Sequence, residues 1–492
     1  MTGLGARGRP RAERALKDLR SSGVSGAPAI GLSPRNVVES QQRRAAVVRR
    51  KPSGTGPAKR GASMRRVSRR RFLATAASAL AAPYLVPASA LGADGTVAPS
   101  ERIVLASIGG GPRGTYDLGC MIAEKDVQYV AICDVQAGRR EAVKRMADAK
   151  YGHADCATYR DFREMIARPD LDAVLVATGD RWHTLASILC AKAGKDVYSE
   201  KPCGLTIGQC QVLADAMHRE GRVFQCGTQR RSSDNFQFAV HLARSGKLGR
   251  LRTMHASIYR LRNSHDWLPA QPEPPRDVCD WDMWLGPAPW RPYNKQYVDG
   301  GWRGYDDFDS GATHLDWGAH TVDLCQWANQ ADGTTPVEFE PTPANITARY
   351  ANGVVLIMDF LDDAFGNRDP QYRTSTGTCP VRFEGDEGWV ETGDSGEVLV
   401  SRPSLLAEKG RLVGQGINPA NHARQFFDCV KTRGRTACNE DIMRSSHLAC
   451  HAAATAWILG RKVAFDPARE AFVGDDEANR MRTRAMREPW HV

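Results

Sequence analysis

The stretch that decides the fold is RIVLASIGGGPRG, residues 102–114. Its first part, Arg102–Ile108, is a short apolar run rich in β-branched residues, which predicts a strand. Glycines follow at 109, 111 and 114, and a helical pattern continues to about residue 124. A second apolar run, Val127–Cys133, ends at Asp134. This order of strand, glycine turn, helix, strand and acid is typical of a dinucleotide-binding βαβ unit.

Each position of the glycine turn has a physical task in such a unit. Gly109 makes the tight turn, Gly111 lets the backbone approach a pyrophosphate, and Gly114 lets the helix pack close to the strand. The helix would begin at Pro112 and Arg113, where free N–H groups and the positive end of the helix dipole favour an anion. We therefore expect these five residues to contact the cofactor.

The acid at the end of the second strand predicts which cofactor is bound. Asp134 can accept hydrogen bonds from the adenosine ribose hydroxyls, and its charge repels a 2′-phosphate. NAD is therefore favoured over NADP. Arg139 and Arg140 lie on the following helix and weaken this preference slightly.

The alternation of strands and helices continues to residue 226. Further strands are predicted over Asp172–Ala177, Asp196–Ser199 and Arg222–Cys226, with helices over His183–Ala193 and Ile207–Glu220. This pattern predicts a doubly wound parallel sheet, which binds its ligands at the carboxyl ends of the strands. Two polar groups follow such strand ends, namely residues 178–183 (TGDRWH) and residues 200–202 (EKP).

Together these motifs resemble the Gfo/Idh/MocA family of sugar and cyclitol oxidoreductases. The resemblance rests on Gly109-x-Gly111-x-x-Gly114, Asp134, Trp182-His183 and Glu200-Lys201-Pro202. It implies that Lys201 projects into the nicotinamide site, where its charge would stabilise a developing alkoxide. It also implies a cis bond between Lys201 and Pro202, and it places Thr178, Trp182, His183 and Glu200 near the cofactor. A structural role for His183 stays open.

The second half of the chain predicts a different architecture. Consecutive strands without intervening helices are predicted over Leu251–Arg260, Asn345–Tyr350, Val354–Phe360, Val381–Glu384, Trp389–Thr392 and Glu397–Ser401. The predicted fold class is α/β, with an N-terminal Rossmann domain (101–228) and a C-terminal α+β domain with a large, mostly antiparallel sheet (229–430). Residues 431–492 are predicted to pack back on both domains. The family resemblance also implies a homo-oligomer.

Substrate-side candidates come from two places. A loop-rich insert, Asn263–Asp309, is dense in Trp, Tyr and Pro, and its aromatic rings suit either sugar faces or loop anchoring. Trp302 and Arg303 are favoured because they immediately precede a cluster of ionisable residues. Arg231, in the stretch that opens the second domain, is a candidate contact to cofactor or substrate, with a structural salt bridge as the alternative.

The ionisable cluster is GATHLDWGAHTVD, residues 311–323. The run Thr313–Asn329 has helical apolar spacing, and in a helix that turns about 100° per residue Asp316, His320 and Asp323 share one face. His314 is about 240° from His320 and would point away. This helical phase argues against a metal site, and no metal is predicted.

The resemblance assigns roles within the cluster. It makes His320 the general acid/base, because the ordinary pKa of imidazole, about 6.5, lies near working pH. It makes Asp316 the neighbour that orients the substrate hydroxyl. Alternatives are a capping box between Thr313 and Asp316 and a core role for His320, and Asp323 is expected to be structural. Gly318 indicates a close approach to the helix, either by a ligand or by tight helix packing.

The net charge of +11 is concentrated at the N-terminus. Residues 1–63 hold 14 Lys or Arg against three Asp or Glu, and residues 64–90 add five Arg and no acid. The remaining 402 residues carry a formal charge of −5, so no nucleic-acid partner is predicted. The composition of residues 1–63 predicts a disordered basic leader, with a translation start at Met64 as the alternative explanation.

Residues 64–90 resemble a twin-arginine signal peptide. SRRRFL (68–73) precedes a 14-residue apolar stretch that is too short to span a bilayer, and Ala88-Ser89-Ala90 offers a cleavage site. The expected partner is the twin-arginine export machinery, and the expected location is the periplasm, with no membrane anchor after cleavage. A cytoplasmic location is the alternative. The 13 cysteines form no Cys-x-x-Cys pair, and most are expected to be buried.

Three functional hypotheses follow. The first is an NAD(P)-dependent oxidoreductase acting on a secondary hydroxyl of a sugar or cyclitol. The second is a redox-neutral NAD-dependent glycosidase or epimerase-like enzyme that oxidises a sugar carbon transiently. The third is a sugar-binding relative without turnover. The Glu-Lys-Pro lysine favours the first, and intact Lys201, Asp316 and His320 argue against the third.

Overall fold

The computed structural model describes residues 97–361, 376–409 and 418–491. The predicted disordered leader (1–63) and twin-arginine signal (64–90) lie outside the described residues. No described helix is long and apolar enough to cross a membrane. All 13 cysteines are free thiols, and all except Cys120 are buried, which confirms their predicted role as small core residues.

The N-terminal domain is a parallel sheet with the predicted alternation of strands and helices. Its strands are β1 (Ile103–Ile108), β2 (Val127–Cys133), β3 (Ala157–Tyr159), β4 (Ala173–Val176), β5 (Asp196–Ser199) and β6 (Phe224–Cys226). Its helices are α1 (Pro112–Met121), α2 (Ala137–Tyr151), α3 (Phe162–Ile166), α4 (Asp180–Lys192) and α5 (Ile207–Glu220). The order β3-β2-β1-β4-β5-β6 with β1 and β4 adjacent is that of a doubly wound sheet, and the Rossmann prediction is confirmed.

The strand register brings the ends of five strands to one edge. Ile108 of β1 pairs with Cys133 of β2 and Val176 of β4, and Val176 continues to Ser199 of β5 and Cys226 of β6. The segments that follow these strands therefore meet at this edge, although the first and the last of them are more than 100 residues apart in the chain. The glycine turn, the acid at 134 and the Glu-Lys-Pro turn are among these segments.

The C-terminal domain contains a nine-stranded sheet. Its strands are β7 (Leu251–Ile258), β8 (Glu338–Pro341), β9 (Asn345–Arg349), β10 (Val355–Phe360), β11 (Val381–Gly385), β12 (Gly388–Thr392), β13 (Val398–Val400), β14 (Val463–Asp466) and β15 (Ala471–Phe472). The order is β13-β12-β11-β7-β10-β9-β8-β14-β15. Only β7 and β10 pair in parallel among these described strands, so the mostly antiparallel prediction is confirmed.

Seven helices of the described chain follow the first domain. They are α6 (Asp234–Arg244), α7 (Trp281–Leu285), α8 (Lys295–Val298), α9 (Leu315–Ala328), α10 (Pro419–Thr432), α11 (Glu440–Leu459) and α12 (Asp476–Arg480). A 3-10 helix, Gln229–Ser232, connects the domains. Helix α9 packs on β7 and α11 and thus forms the interior of the second domain. One continuous apolar core joins this helix to the parallel sheet.

Helix α9 begins two residues later than the pattern predicts. Ala312 and Thr313 have φ of 57° and 73°, which ends the preceding loop and excludes them from the helix. Thr313 donates its hydroxyl to the carbonyl of Arg260 at 3.2 Å instead of capping the helix. The capping-box alternative for Thr313 and Asp316 is therefore wrong, and the Asp316 side chain is free for other contacts.

The C-terminal part of the described chain contacts both domains. Helix α10 packs on α1 of the first domain, where Phe426 and Phe427 join the core of Leu118 and Met121. Helix α11 packs on α5, and β14 extends the second sheet. The C-terminal segment therefore holds the two domains together, which fixes the cleft between them.

Candidate active site

The glycine turn forms a tight cradle at the carboxyl edge of the parallel sheet. Gly109 has φ of +100°, and a Cβ added there would lie 2.3 Å from the carbonyl oxygen of Ala177. A Cβ at Gly114 would lie 2.5 Å from the carbonyl oxygen of Gly109. Backbone atoms fill both spaces, so neither position accepts a side chain. At Gly111 the nearest atom is Nη1 of Arg139 at 3.5 Å, and this face opens on a cleft.

The cradle fits the pyrophosphate of a dinucleotide. Gly111 is the N-cap of α1, and because glycine has no side chain it cannot cap the first N–H groups of the helix. Pro112 lacks an N–H, and the next N–H groups of the first turn have no partner within the helix. Together with the helix dipole they favour an anion in the cleft, which has a volume of about 380 Å³. Gly109, Arg113 and Gly114 line the same cleft.

Asp134 follows the end of β2 and lines the cleft. Its carboxylate accepts the N–H of Gly110 at 2.7 Å and of Gln136 at 2.8 Å. These contacts leave lone pairs for ribose hydroxyls. Arg139 lines the cleft beside it and donates to the carbonyl of Val298 at 3.2 Å. The side chains at this end of the cleft therefore include both a carboxylate and a guanidinium.

The aromatic insert covers the cleft. Its wall includes Met283 and Trp284 of α7, residues 298–300, Trp302 and Arg303. Trp284 stacks on the guanidinium of Arg181, 3.5 Å from the ring centroid, and accepts the N–H of Arg181 through its carbonyl at 2.7 Å. Trp182 donates its indole N–H to the carbonyl of Met283 at 2.9 Å. Trp182, a predicted cofactor residue, therefore anchors the insert. Its indole N–H is already bonded to Met283, so only the carbon face of its ring lines the cleft.

Trp302 and Arg303 occupy different positions although they are adjacent in sequence. Trp302 lines the dinucleotide cleft and does not line the inner pocket described next, so its predicted substrate contact is not supported. Arg303 lines both cavities and stacks on the Trp302 ring at 4.5 Å. Of these two residues, only Arg303 lines the inner pocket, where the substrate is expected.

An inner pocket of about 330 Å³ adjoins the cleft. Both cavities share Arg113, Ala177, Thr178 and Arg303. The other residues of the inner pocket are Asp180, His183, Glu200, Lys201, Arg230, Asp316, Trp317, His320 and Cys379. The three predicted catalytic residues, Lys201, Asp316 and His320, thus face one cavity, because the strand edge and helix α9 meet there.

Lys201 and Asp316 form an ion pair in this pocket. The ammonium of Lys201 donates to the Asp316 carboxylate at 2.9 Å and to its backbone carbonyl at 2.7 Å. Arg303 lies 3.2 Å from the same carboxylate. Burial alone would raise the pKa of Asp316, but the charges of Lys201 and Arg303 outweigh it and lower this pKa. Asp316 is therefore a fixed anion that holds two cations at the pocket.

Glu200 supports the turn that carries Lys201. It accepts the side-chain N–H of Gln229 at 2.7 Å, the Nε–H of Arg113 at 3.2 Å and the backbone N–H of Lys201 at 3.2 Å. Burial opposes its ionisation, yet Arg113 and Lys201 lower its pKa. Burial and the charge of Glu200 raise the pKa of the neighbouring Asp117. Glu200 faces the pocket, but its oxygens mainly position protein groups.

The Lys201–Pro202 peptide bond is cis, as the family resemblance implies. The Pro202 carbonyl lies 2.5 Å from Nδ1 of His183, and the Thr178 carbonyl lies 3.2 Å from its Nε2. Both ring nitrogens of His183 thus face backbone carbonyls. The structural alternative for His183 fits this arrangement better than a direct cofactor contact, whereas Thr178 lines both cavities.

His320 is held by a residue that the sequence did not single out. Nη1 of Arg230 lies 2.8 Å from Nε2 of His320, and the same guanidinium makes two bonds to Asp394, at 3.0 and 2.6 Å. Burial, followed by the charges of Arg230 and Lys201, lowers the pKa of His320 well below its usual value. His320 is therefore a neutral imidazole near pH 7, as a general base must be.

Arg231, the predicted substrate contact, points away from the pocket. It is buried in ion pairs with Asp323 and Asp332, each at 2.6 Å, and its guanidinium lies over the Trp327 ring at 5.0 Å. The 3-10 geometry of residues 229–232 separates the two arginines, so Arg230 enters the pocket instead. The prediction for Arg231 is wrong, and its salt-bridge alternative is confirmed, as is the structural role of Asp323.

The predicted helical phase of the cluster is confirmed. His314 is fully buried, and neither of its ring nitrogens has a hydrogen-bond partner among the described residues. It lies against Gly318, where a Cβ would be 3.0 Å from Sγ of Cys450 and 3.3 Å from Nε2 of His314. Gly318 thus serves the packing of α9 on α11. His314 and His320 do not converge on one metal site.

Besides Ala177, which was predicted only as a strand end, four residues of the inner pocket were missed by sequence reasoning: Asp180, Arg230, Trp317 and Cys379. Asp180 follows β4 in the TGDRWH stretch, and Trp317 follows Asp316, so proximity to predicted residues was the available signal. Arg230 is adjacent to Arg231, and only the backbone turn distinguishes them. For Cys379, which reaches the pocket from the segment before β11, the sequence gives no signal.

Two groups of possible metal ligands lie elsewhere in the described chain. They are the buried Cys203, Cys226 and His447, and the more exposed His218, Glu440 and Asp441. Neither group belongs to the inner pocket. The pocket instead combines a paired ammonium, a neutral imidazole and several guanidinium donors beside a dinucleotide-sized cleft, which suits proton transfer and oxyanion stabilisation.

Comparisons with known proteins agree with this geometry. The inositol 2-dehydrogenase of Salmonella paratyphi B is 29% identical over 134 residues, 27% of this chain and 38% of that enzyme. A glycosyl hydrolase family 109 protein of Saccharopolyspora erythraea is 34% identical over 128 residues, 25% of this chain and 27% of that protein. The chain therefore spans well under half the length of these relatives.

A solved structure covers more of the chain and shows the same fold. The WlbA dehydrogenase of Chromobacterium violaceum, in complex with NADH and UDP-GlcNAcA, aligns with a TM-score of 0.53 at 17% identity. The alignment covers 75% of this chain and 98% of that one.

Two domain models of one family match the chain in sequence. Residues 103–228 match the NAD-binding Rossmann fold of the oxidoreductase family, and residues 264–492 match its C-terminal alpha/beta domain. The order and spacing of these matches coincide with the two domains that form the cleft and the inner pocket. The chain therefore belongs to the Gfo/Idh/MocA oxidoreductase family.

Proposed function

We propose that this protein is an NAD(P)-dependent oxidoreductase that transfers a hydride between the nicotinamide and a secondary hydroxyl of a sugar or cyclitol. The observation that carries the proposal is the inner pocket, where the Lys201–Asp316 ion pair at 2.9 Å and His320 adjoin the dinucleotide cleft. Relatives named as inositol 2-dehydrogenases support this class of substrate. Asp134 at the adenosine end supports NAD as the preferred cofactor.

The residues of the pocket divide the work of the reaction. His320 is the group that takes the proton of the substrate hydroxyl, because it is neutral and lies in the pocket. The ammonium of Lys201 stabilises the alkoxide that develops as the proton leaves. Asp316 keeps Lys201 in place, and its carboxylate accepts a hydrogen bond from a second hydroxyl of the substrate. A bound nicotinamide supplies the hydride acceptor in oxidation and the hydride donor in reduction.

The pocket wall also suits a polyhydroxylated ring. Trp317 lines the inner pocket and is flanked by Tyr259, whose ring lies edge-on at 5.3 Å. An indole face matches the apolar face of a sugar or cyclitol ring. Arg230 and Arg303 provide donors for its hydroxyl oxygens. This combination supports a cyclic polyol over a small hydroxy acid.

The direct test is a substrate screen on the purified full chain. Its absorbance spectrum shows whether nicotinamide co-purifies, and absorbance at 340 nm is then followed with NAD or NADP and a panel of myo-inositol, hexoses and their acids. We expect turnover with one polyol class and none with His320→Asn, which should still bind NADH. Failure to bind either cofactor, with the chain folded, would contradict the proposal.

A second candidate is a redox-neutral glycosidase. The observation that favours it is the 34% identity to the glycosyl hydrolase family 109 protein. The discriminating substrate is 4-nitrophenyl α-N-acetylgalactosaminide. Release of nitrophenol with NAD present and without net NADH would favour this candidate, whereas net NADH formation on free polyols favours the dehydrogenase.

The location is part of the proposal. The SRRRFL stretch at residues 68–73 supports export by the twin-arginine route, with the cofactor already bound to the folded protein. Replacing Arg69 and Arg70 by lysine should retain the protein in the cytoplasm, as fractionation would detect. Equal export of the variant would contradict this route.

We also propose that the protein is a homo-oligomer, as the family resemblance implies. Light scattering coupled to gel filtration measures the mass of the assembly directly. A mass equal to one chain across the accessible concentration range would refute the proposal.

A further inference from the structure

Arg230 occupies an unusual position between two partners from different parts of the fold. It lies on the 3-10 helix Gln229–Ser232, just after the parallel sheet. Its Nε and Nη2 donate to Asp394, which lies after β12 of the second sheet, at 3.0 and 2.6 Å. Its Nη1 faces Nε2 of His320 at 2.8 Å. Arg230 and Asp394 are both largely buried, with 11% and 13% of their side chains exposed.

This contact fixes the protonation pattern of His320. A guanidinium has only donors and stays protonated in proteins, so Nε2 of His320 must be the acceptor. The ring proton of the neutral imidazole is therefore on Nδ1, which is buried without a hydrogen-bond partner among the described residues. Nε2 carries the lone pair, which makes it the basic atom.

We propose that Arg230, clamped by Asp394, is a positioning residue that holds His320 as the neutral Nδ1–H tautomer with its Nε2 lone pair directed to the substrate hydroxyl. The bidentate clamp fixes the guanidinium plane, and the third contact fixes the imidazole. When substrate binds, its hydroxyl replaces Arg230 at Nε2 while Asp394 retains the guanidinium. The hydroxyl proton then moves to Nε2, and the freed Nη1–H of Arg230 donates to the substrate oxygen.

The surroundings of His320 are dominated by cations. Burial lowers the pKa of His320 most, followed by three cations, Arg230 on the 3-10 helix, Lys201 after β5 and Arg113 on α1. The imidazole of His422 on α10 also faces it, but burial lowers the pKa of His422 to about 4. Three acids in the same region are already paired, Asp394 with Arg230, Asp316 with Lys201 and Glu200 with Arg113. The fourth, Asp180, lies 3.7 Å from Arg303. Cys379 also lines the pocket. Arg230 is the cation that contacts the ring directly, so its removal should have the largest effect.

The test observes the imidazole itself. The full chain is labelled with ¹⁵N-histidine, and two-bond ¹H–¹⁵N correlations report the tautomer and charge of each of the 12 histidines. His320→Gln identifies the His320 signals by their loss. We expect the wild type to show His320 as the neutral Nδ1–H tautomer at pH 7. In Arg230→Gln we expect the midpoint of its protonation to rise by about one pH unit or more, because a neighbouring positive charge is gone.

Two further variants keep the inference falsifiable. Asp394→Asn retains the cation but loses the clamp, so the Nε2–H tautomer should become populated without a rise in the midpoint. This variant decides the matter if Arg230→Gln does not fold. Arg303→Gln is the matched control, because Arg303 lines the same pocket but contacts Asp316 and approaches Asp180. It should leave the His320 signals unchanged.

The inference rests on the proposed function only for its kinetic part. In a dehydrogenase assay, the acidic limb of the pH profile of kcat/KM reports protonation of the general base. Arg230→Gln should move this limb to higher pH, whereas Arg303→Gln should change KM and leave the limb where it is. The NMR result needs no substrate and so stands if the proposed activity fails. An Nε2–H tautomer or an imidazolium in the wild type at pH 7, or wild-type spectra in both Arg230→Gln and Asp394→Asn, would overturn the inference.

Discussion

Replacing Gly109 by alanine tests the dinucleotide cradle without knowledge of the substrate. The added Cβ would lie 2.3 Å from the carbonyl oxygen of Ala177, where a relaxed carbon–oxygen contact is about 3.3 Å. Strands β1 and β4 must therefore separate by about 1 Å, a contact deficit that follows from these two distances. The alanine must also hold φ of +100°. The substitution thus strains the backbone and overpacks the sheet edge.

The expected cost follows from these two terms. Non-glycine residues in such a conformation cost about 1–3 kcal/mol, and overpacking costs about as much again. We expect a loss of about 2–6 kcal/mol in the free energy of unfolding. With an unfolding entropy of about 2 cal/mol/K per residue, each kcal/mol lowers Tm by about 1 °C if the whole chain unfolds together, and by about 4 °C if the parallel-sheet domain unfolds alone.

Calorimetry and NADH fluorescence measure the two consequences separately, and two glycines provide matched controls. Gly119 is exposed on α1, and a Cβ there meets no described atom within 4 Å, so Gly119→Ala should raise stability by up to about 1 kcal/mol. Gly111→Ala should fold normally but bind NADH more weakly, because its Cβ faces the cleft. Wild-type Tm and wild-type NADH affinity in Gly109→Ala would refute the cradle.

Three further predictions concern the pocket and the domain contacts. Lys201→Met should lower kcat by about 10²–10³-fold in the dehydrogenase assay, because it removes a charge that stabilises the alkoxide, while NADH binding stays near normal. Arg231→Gln should cost about 3–5 kcal/mol in urea unfolding, because it leaves Asp323 buried without its partner. Asp126 is partly buried beside Arg424, and although burial opposes ionisation, Arg424 and Lys431 lower its pKa to about 2. Ionised Asp126 therefore contributes about 1 kcal/mol to the free energy of unfolding after solvent screening. This contribution is complete above pH about 4, near the ordinary carboxyl pKa, and it is lost as the pH falls towards 2. Asp126→Asn should remove this loss from the acid-unfolding profile.

Each of these three predictions can be contradicted by one measurement. Unchanged kcat in Lys201→Met would exclude the alkoxide role. A urea midpoint equal to wild type in Arg231→Gln would show that the buried pair is dispensable. An Asp126→Asn profile that still follows the wild type between pH 4 and pH 2 would show that docking of α10 on the first domain does not depend on this carboxylate.

The sequence predicted those parts of the site that depend on local geometry. A glycine turn and an acid at a strand end lie within one βαβ unit, so their spacing along the chain already defines their spacing in space. Helical phase was equally local, and it correctly separated His314 from His320. The boundary of α9 was missed by two residues because the positive φ angles of Ala312 and Thr313 are imposed by the preceding loop.

The parts that failed depend on contacts between distant segments. Arg230 and Arg231 are neighbours with the same chemistry, and one enters the pocket while the other is buried against Asp323. The choice is made by the 3-10 turn between two packed domains. Trp302 was placed at the substrate because it precedes the cluster, yet the fold of the insert turns it to the cofactor cleft.

The sequence by itself determined the doubly wound sheet, the dinucleotide cradle and the identity of the lysine, aspartate and histidine that adjoin it. The sheet and the cradle follow from periodicity and short-range spacing, which the backbone converts directly into geometry, whereas the lysine, the aspartate and the histidine follow from the family resemblance of their motifs. Only the tertiary structure decided which arginine accompanies the histidine, and how the insert closes the cleft. Those outcomes depend on the alignment of strand ends and on Asp394, 164 residues from Arg230, because a buried charge takes its place only where a distant partner compensates it.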